Sequence, residues 1–387
     1  MVTSALLTCL FFFSYTKAQS DFRSYAEAGL AALQKWYNPP TGLWETTGWW
    51  NSGNCLTTVA EFAAFNAYAA EVGNSVFTAT FTQGQQANVL LRKKVLPSGL
   101  VDTYYLKLPD NDRQLRRRGF PGFINNYYDD EGWWTLGWIR VYDITGDLAY
   151  LQMARDIFED MTTGWDNNRC GGGIWWDKYH TSLVAIANEL FLSAAAHLAT
   201  RVPDAAEYYL DWARREWDWF QQVGLINPDN NINDGVNLET CTNNGATVWS
   251  YNQGVILGAL VEFTKASPEG VSFIPQADAI ATAAITALTD ENGILHDGCE
   301  PNCGADGPQF KGIFMRGLRV LHQAAPKPEY QAFLERNAES IWANRNEVNE
   351  FGVNWAVPFE PPALASTQSS ALDALVAAAA IQARPAC

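Results

Sequence analysis

The chain has 387 residues, of which 48% are hydrophobic and 13% aromatic, and its formal net charge is −16. This apolar content supports a large folded core and excludes an intrinsically disordered chain. The acidic charge disfavours nucleic acid and anionic lipid as binding partners, because both are themselves negatively charged.

The chain begins with an apolar segment of the kind found in secretory signals. Residues 5–13 are apolar, and a cleavable end follows at residues 15–18,. The segment is too short to span a bilayer, and the carboxyl end lacks the apolar tail of a lipid-anchor signal, so no membrane anchor is expected. We therefore predict a signal peptide at residues 1–18 and a secreted product, extracellular or associated with a cell wall.

Apolar residues recur at helical spacing almost throughout the remaining chain. Leu183, Ile186, Leu190, Ala194 and Leu198, for example, mark one continuous apolar face. The same pattern in the other segments predicts twelve helices. Their expected bounds are 21–36, 55–73, 76–95, 127–145, 147–162, 180–200, 204–222, 246–265, 272–289, 309–324, 327–345 and 366–382.

The predicted connections alternate between short and long. Short links lie near residues 73–74, 146–147, 202–203, 268–269 and 326–327, where helix-stopping and helix-starting residues occur,. The long loops lie near residues 37–54, 96–126, 163–179, 223–245, 290–308 and 346–365. If successive helices run antiparallel, all six long loops emerge at one end of the helix assembly, which we call the rim.

Twelve antiparallel helices in six hairpins predict an all-α fold, an (α/α)6 barrel, as a single domain over residues 19–387. The alternative is an open array of helical hairpins. Such arrays normally carry a fixed-length sequence repeat, and none is found. Long loops gathered at one end of a rigid scaffold commonly carry function, so we expect a cleft at the rim.

Residues 127–134, Tyr-Tyr-Asp-Asp-Glu-Gly-Trp-Trp, place two neighbouring carboxylates between aromatic pairs. Paired carboxyls among aromatic residues are typical of enzymes that cleave glycosidic bonds. An acidic run can also stabilise a helix N-terminus by accepting backbone N–H bonds. The motif alone supports both interpretations. Its expected place on the rim favours a catalytic pair, Asp129 and Asp130.

Other unusual residues also fall on the predicted rim. Tryptophan pairs at 49/50, 133/134 and 175/176 could line a sugar-binding groove, because indole faces cover the apolar face of a pyranose,. We expect about half of these rings to pack in the core instead, since Trp has a large apolar surface to bury. The substrate-binding candidates are Trp50, Tyr128, Trp175, Trp176, Asp177, Asp234, Tyr251 and Lys311.

Six cysteines remain after removal of the predicted signal: Cys55, Cys170, Cys241, Cys299, Cys303 and Cys387. An even number in an exported chain predicts up to three disulfides, with the pairing left open. Metal binding is disfavoured, because Cys299 and Cys303 have no second ligand pair nearby and the histidines are scattered,. No metal or other cofactor is expected.

Four motifs resemble glycoside hydrolase family 76. They are the octet at 127–134, Gly-Gly-Gly-Ile-Trp-Trp at 171–176, Trp-Ser-Tyr-Asn-Gln-Gly at 249–254 and Phe-Lys-Gly-Ile at 310–313. The resemblance spans nearly the whole mature chain. It implies an (α/α)6 barrel and endo-acting cleavage of α-1,6-linked mannan with retention of anomeric configuration. It also implies that Asp129 is the nucleophile and Asp130 the general acid/base.

The spacing of the two aspartates does not itself distinguish retention from inversion. Neighbouring residues on a helix diverge by about 100°. Their rotamers can therefore satisfy either the ~5–5.5 Å separation of a retaining enzyme or the ~6.5–9.5 Å of an inverting one. Retention is implied by the resemblance alone.

The leading prediction is a secreted, monomeric endo-α-1,6-mannanase whose partner is α-mannan polysaccharide or mannooligosaccharide. Three other hypotheses stay open. A transglycosidase of the same family would resolve the covalent intermediate with a sugar hydroxyl. A carbohydrate-binding wall protein would keep the groove and do no chemistry. Another (α/α)6 enzyme, such as an unsaturated-uronide hydrolase, would act on a different glycan.

Overall fold

The computed structural model describes residues 20–86, 89–95, 101–107 and 120–382. Within those ranges it contains twelve α-helices and three short antiparallel hairpins. The helices are α1 Phe22–Leu33, α2 Trp49–Ala63, α3 Ala67–Gln83, α4 Tyr128–Thr145, α5 Leu148–Thr162, α6 Ala185–Arg201, α7 Ala206–Gln222, α8 Ser250–Ala266, α9 Ile274–Ala287, α10 Phe310–Ala324, α11 Pro328–Ala343 and α12 Ala365–Gln382. The strand pairs are β1 Tyr37–Asn38 with β2 Leu43–Trp44, β3 Val89–Val95 with β4 Val101–Lys107, and β5 Val236–Asn237 with β6 Thr242–Asn243. The predicted signal peptide lies outside the described residues.

The even-numbered helices form a closed inner ring. In this ring α2 packs against α4, α4 against α6, and so on through α8, α10 and α12, which returns to α2. The odd-numbered helices pack outside: α3 against α2, α5 against α4, α7 against α6, α9 against α8, and both α1 and α11 against α12. The predicted all-α (α/α)6 barrel is therefore confirmed.

The residue pattern of each helix explains its layer. All fifteen residues of α2 are buried, and nearly all of α12 are. The outer helix α7 instead buries one face, formed by Tyr209, Leu210, Ala213, Trp217 and Phe220 among others, at the spacing of a helical period,. A helix that is buried on every side must lie inside the barrel, whereas an amphipathic helix covers it.

Two glycines allow α8 and α10 to approach closely. A Cβ atom on Gly254 would lie 2.5 Å from Phe314 Cα, and one on Gly317 would lie 2.0 Å from the carbonyl oxygen of Gly254. These distances are well inside van der Waals contact, so a side chain at either position would push the helices apart. The contact fixes the separation of the first turns of α8 and α10, which carry Tyr251 and Phe310.

The second helix begins at Trp49, not at residue 55, and ends at Ala63. The predicted link at Gly73 is wrong, because this residue lies inside α3 and the turn comes at Asn66, whose side chain caps α3. A turn without glycine or proline gives a weak sequence signal, although Asn is a common N-cap. The tryptophan pair that starts at Trp49 thus lies on the first turn of α2 and not in the preceding loop.

The predicted helix at 76–95 is wrong in its second half. Helix α3 ends at Gln83, and β3 pairs antiparallel with β4 so that Lys93 lies opposite Thr103. A short run of apolar and basic residues fits the helical period and the strand period equally well. The Pro-Ser-Gly sequence at 97–99 is the turn signal that indicates a hairpin,.

Two of the disulfides that the cysteine count allows are present, Cys170–Cys241 and Cys299–Cys303. Cys55 is a buried free thiol, and Cys387 lies outside the described residues. The Cys299–Cys303 bridge explains that motif without a metal, because its sulfurs are not thiolates. Of the helices in the described ranges, none has the length and apolar character needed to cross a membrane.

Candidate active site

The inner helices all begin at the rim, and their first turns surround a cleft. Each long connection leads from an outer helix to the next inner helix, as the sequence predicts, so six inner N-termini converge at one end. Acidic and aromatic side chains dominate the lining. It consists of Trp50, Lys93, Asp129, Trp133, Trp176, Val184, Ile186, Asp234, Tyr251, Asp306 and Phe310.

Asp129 and Asp130 lie on the first turn of α4, and one ammonium group joins them. Lys93 Nζ lies 3.0 and 2.8 Å from the two carboxylate oxygens of Asp129, and 2.8 Å from Asp130 Oδ1. Asn125 Nδ2 donates to the other oxygen of Asp130 at 2.7 Å. The Asp129 side chain is slightly exposed to the cleft, whereas that of Asp130 is fully buried.

Glu131, the third acid of this run, bonds to the loop that leads into α4. The Glu131 carboxylate accepts the backbone N–H of Asn125, whose side chain accepts the N–H of Tyr127. Tyr127 is the N-cap of α4 and makes no side-chain capping bond of its own. The two aspartates are thus directed toward Lys93 and the cleft, while their charge still complements the helix dipole.

The surroundings of Asp130 favour its protonated form. Burial raises the pKa of this carboxyl to about 6, and the charge of Asp129 acts in the same direction, while Lys93 and Asn125 oppose it. Glycosidic cleavage needs one carboxyl that can donate a proton beside another that is ionised. The raised pKa makes Asp130 a candidate for the proton donor of such a pair.

Two further aspartates face the cleft. Burial raises the pKa of Asp234 to about 6 and that of Asp306 to about 7. Asp234 accepts a hydrogen bond from Asn252 Nδ2 at 3.2 Å. Despite this acidity, the described residues contain no group of His, Cys, Asp and Glu side chains arranged to hold a metal ion. The positive charge among these carboxyls is that of Lys93.

Sequence reasoning missed Asp306 and Lys93. The Asp306 carboxylate accepts Trp50 Nε1 at 2.7 Å and Thr103 Oγ1 at 2.6 Å. It is an isolated acid in a loop and carries no motif signal. Lys93 was not identified as a site residue because its segment was incorrectly predicted to be helical. A hairpin prediction would have placed Lys93 near the rim, although its contact with Asp129 would not have followed.

Each tryptophan pair divides between the cleft and the core. Trp50 and Trp133 stack on each other at the cleft, with ring centroids 5.5 Å apart, and Trp176 also lines it. The other ring of each pair packs in the main hydrophobic core. The expectation that about half of these rings are structural is confirmed. Across the cleft, Tyr251 stacks on Phe310 with ring centroids 3.9 Å apart.

Two aromatic candidates for substrate binding lie away from this cleft. The Trp175 ring stacks on His180 at 5.0 Å and belongs to the main core. The Tyr128 ring covers Gly164, and its hydroxyl lies 3.1 Å from Thr163 Oγ1. Adjacent residues on a strand or helix point in different directions, so only some side chains of each motif can face the cleft.

Asp177 and Lys311, two charged candidates, are also placed outside the cleft lining. The Asp177 carboxylate accepts the backbone N–H groups of Tyr179 and Thr181 and so closes a turn. Lys311 Nζ lies 2.7 Å from Glu300 and donates to the carbonyl of Val353. Both side chains hold loops in place, and the positions of those loops depend on tertiary contacts that a sequence pattern does not indicate.

A larger cavity, about 210 Å³, lies at the opposite end of the barrel, among the last turns of the inner helices. Its charges are paired: Glu61 binds Arg140 and Arg319, and Arg201 binds Asp143. Although burial opposes it, the neighbouring guanidinium groups lower the pKa of Glu61 to about 2. These charges are thus matched within the cavity, whereas the neighbouring carboxyls of Asp129 and Asp130 lie at the cleft.

Comparison with known proteins agrees with the site. Residues 110–386 match the model of glycosyl hydrolase family 76. "Mannan endo-1,6-alpha-mannosidase DFG5" of Candida albicans is 24% identical over 80% of this chain and 67% of its own length. The Saccharomyces cerevisiae protein of the same name is 26% identical over 59% of this chain and 54% of its own length. The chain thus spans about half to two thirds of the length of these curated relatives.

Solved structures share the fold. The "GH76A alpha-1,6-mannanase" of Salegentibacter sp. HEL1_6 has a TM-score of 0.73 at 21% identity, covering 93% of this chain and all of that one. A variant described as inactive, in which two consecutive aspartates are replaced by asparagine, was solved with α-1,6-mannotriose. Dfg5 of Chaetomium thermophilum, in complex with glucosamine, has a TM-score of 0.74 at 18% identity, covering 96% and 94%.

The family match covers well over half of the chain and includes α4 with its aspartate pair. The ring of twelve helices and the cleft at the inner N-termini agree with it. This chain belongs to glycosyl hydrolase family 76.

Proposed function

We propose that this protein is a secreted, endo-acting glycoside hydrolase that cleaves α-1,6-mannosidic bonds in mannan with retention of configuration. The observation that carries the proposal is the Asp129–Asp130 pair, two neighbouring carboxyls bridged by Lys93 with Asp130 fully buried, in a cleft lined by aromatic rings. The relatives' names supply the substrate class. The inactive neighbour, altered at two consecutive aspartates, supports the assignment of the pair.

In the first step, Asp129 attacks the anomeric carbon while Asp130 donates its proton to the leaving glycosidic oxygen. A covalent mannosyl–enzyme ester forms at Asp129, and the chain beyond the cleaved bond departs. Asp130 is then ionised and takes a proton from water as the water attacks the anomeric carbon, which breaks the bond to Asp129 and frees its carboxylate. The product keeps its configuration because two displacements occur at the same carbon.

The geometry of the pair supports retention. Asp129 Oδ2 and Asp130 Oδ1 each lie 2.8 Å from the same nitrogen, so they cannot be more than about 5.6 Å apart, twice that distance,. Inverting enzymes need ~6.5–9.5 Å between the carboxyls to hold a water molecule. The spacing that the sequence left open is thus consistent with direct attack by Asp129.

The aromatic walls supply the sugar contacts in this proposal. Trp50, Trp133, Trp176 and Tyr251 offer faces for the apolar side of a pyranose, while Asp234 and Asp306 accept hydrogen bonds from its hydroxyls,. Polar groups in such sites fix the orientation of a sugar, and stacking supplies much of the affinity. Tyr128, Trp175, Asp177 and Lys311 are left out of this set, because the structure places them in the core or in loops.

Secretion is supported by the apolar amino-terminal segment and by the disulfides Cys170–Cys241 and Cys299–Cys303. Disulfides persist in oxidising compartments and are rare in the cytosol. We propose that the enzyme acts as a monomer on α-mannan or mannooligosaccharides outside the cell.

The roles of the two aspartates are tested by replacing each with alanine and adding azide, with an activated α-mannosyl donor as substrate. In Asp129→Ala, azide takes the place of the lost nucleophile and gives the inverted glycosyl azide. In Asp130→Ala, azide attacks the ester on Asp129 and gives the retained product. The same azide stereochemistry from both variants would contradict the assignment of roles.

Two alternatives make different predictions. A transglycosidase would attach mannosyl chains to a labelled oligosaccharide acceptor, which a strict hydrolase does not elongate. A non-catalytic wall protein would bind mannan and release no reducing ends. The presence of both carboxyls favours an enzyme over the non-catalytic protein, and elongation of the acceptor distinguishes transfer from hydrolysis,.

A further inference from the structure

We propose that hairpin β3–β4 is a lid that inserts Lys93 into the catalytic centre and must withdraw before a sugar can bind there. The inference rests on the proposed function only for the identity of that sugar. The family match begins at residue 110, so the hairpin precedes the matched part of the chain.

The register of the hairpin directs two side chains to the cleft. Lys93 and Thr103 are directly opposite each other in the antiparallel pair, and cross-strand partners lie on the same face of a ribbon,. Lys93 reaches Asp129 and Asp130, and Thr103 Oγ1 donates to Asp306 at 2.6 Å. The next residue, Lys94, alternates to the other face and is exposed,.

The Lys93 ammonium occupies the place where the reaction must happen. It contacts both oxygens of Asp129, and its side chain is only 2% exposed. It also lies 4.4 Å from the centroid of the Tyr127 ring and 5.3 Å from that of Trp176. An anomeric carbon must come within about 3–3.5 Å of an Asp129 oxygen to react. The sugar and the ammonium cannot both take that position.

The space that remains supports the same conclusion. With the hairpin in place, the cleft holds a cavity of about 30 Å³, room for about two water molecules,. Sites that bury small organic ligands are typically ~300–1,000 Å³. Binding therefore requires displacement of a cleft-filling group, and Lys93 is the one carried by a two-stranded hairpin, a unit that is marginally stable by itself.

Opening of the lid also raises the pKa of Asp130, the proposed general acid. Lys93 lowers the pKa of Asp130, whereas burial and Asp129 raise it. Withdrawal of the ammonium removes one of the two groups that lower this pKa, while the Asn125 hydrogen bond remains, and it therefore favours the protonated form of Asp130. The closed lid thus keeps the aspartate pair inactive, and the pair becomes active when the lid opens for the substrate.

The lid is tested first by amine labelling of the unmodified protein with acetic anhydride, read by mass spectrometry. We expect Lys93 to react at least tenfold more slowly than Lys94. Saturating α-1,6-mannotriose should raise the Lys93 rate severalfold, and maltotriose should not. Thr103→Val, which removes the hydroxyl that binds Asp306, should raise the rate about tenfold without any sugar. Equal reactivity of the two lysines, or unchanged protection in Thr103→Val, would overturn the lid.

Kinetics provide the second readout. A closed state populated to about 90% weakens apparent affinity about tenfold, so Lys93→Met should raise kcat/KM about tenfold, mainly through KM. Lys94→Met is the matched control and should leave both constants unchanged. A fall in kcat/KM for Lys93→Met would overturn the lid and make Lys93 a positioning residue. If mannan is not cleaved at all, the proposed function fails, while the labelling of Lys93 and of Thr103→Val still decides whether the lid exists.

Discussion

Trp50 and Asp306 are 256 positions apart in sequence, yet Trp50 Nε1 donates a hydrogen bond of 2.7 Å to Asp306 Oδ1 at the cleft. The bond joins the first turn of α2 to the loop before α10. Neither residue belongs to a motif shared with the other. Closure of the helix ring brings them together and builds one wall of the site.

Replacement of either aspartate by asparagine should abolish catalysis without unfolding the protein. We expect Asp129→Asn and Asp130→Asn each to lower the release of reducing ends from α-1,6-mannan at least about a thousandfold, because each removes a group required at the transition state. The matched control is Glu131→Gln, because Glu131 is a third carboxyl on the same turn and pairs with Lys178, outside the cleft lining. It should keep at least about a tenth of the activity. Full activity in either aspartate variant would refute the assignment.

The two members of one tryptophan pair should respond differently to truncation. Trp50→Ala removes a ring that lines the cleft and should weaken binding of mannooligosaccharides about tenfold,. Because Trp49 and Trp50 are both buried, each truncation should also lower the free energy of unfolding, by about 3–5 kcal/mol for Trp49→Ala,. Urea denaturation and KM measured side by side separate the effects, and Trp49→Ala should leave KM nearly unchanged. An equal rise in KM from both changes would contradict the division.

The pH profile should show loss of activity as the general acid loses its proton. Because burial raises the pKa of Asp130 to about 6, kcat/KM should fall tenfold per pH unit above that value,. Asn125→Ala removes a hydrogen bond that favours the ionised form of Asp130, so the fall in kcat/KM should move to higher pH,. If the fall stays at the same pH in Asn125→Ala, the titrating group is another one, such as Asp234 or Asp306.

The two disulfides should differ in their contribution to stability. Cys170–Cys241 closes a loop across 71 positions and Cys299–Cys303 across 4. In the chain-entropy model, removal of the first by paired alanine substitutions should cost about 4 kcal/mol and removal of the second about 2 kcal/mol. Denaturation midpoints at constant pH measure both. A larger loss from the short loop would show that native-state contacts, and not loop closure, dominate.

Cys55 should resist thiol reagents in the folded protein. It is fully buried, and burial raises the pKa of its thiol to about 12, so almost no thiolate forms,. Modification by iodoacetamide, followed by peptide mass spectrometry, should detect labelling at this position only after denaturation. Labelling at the rate of an exposed cysteine would mean that α2 opens readily.

The sequence contained enough to predict the barrel and to place the aspartate pair at its rim. Hydrophobic periodicity predicts helices because a helix repeats every 3.6 residues whatever its surroundings. Alternating loop lengths then placed Asp129, Asp130 and Trp50 at one end. The boundary at Asn66 was missed because its turn contains neither glycine nor proline. The hairpin β3–β4 was missed because a short run of apolar and basic residues fits the helical period as well as the strand period.

Local sequence therefore determined the helices, their alternation and the residues able to do the chemistry. Only the tertiary structure decided which of them meet. It turned Trp175, Asp177, Tyr128 and Lys311 toward the core and loops, and it brought Lys93 and Asp306 to the cleft. The reason is that burial and contact depend on distances between segments far apart in the chain, and those distances are set when the ring of inner helices closes.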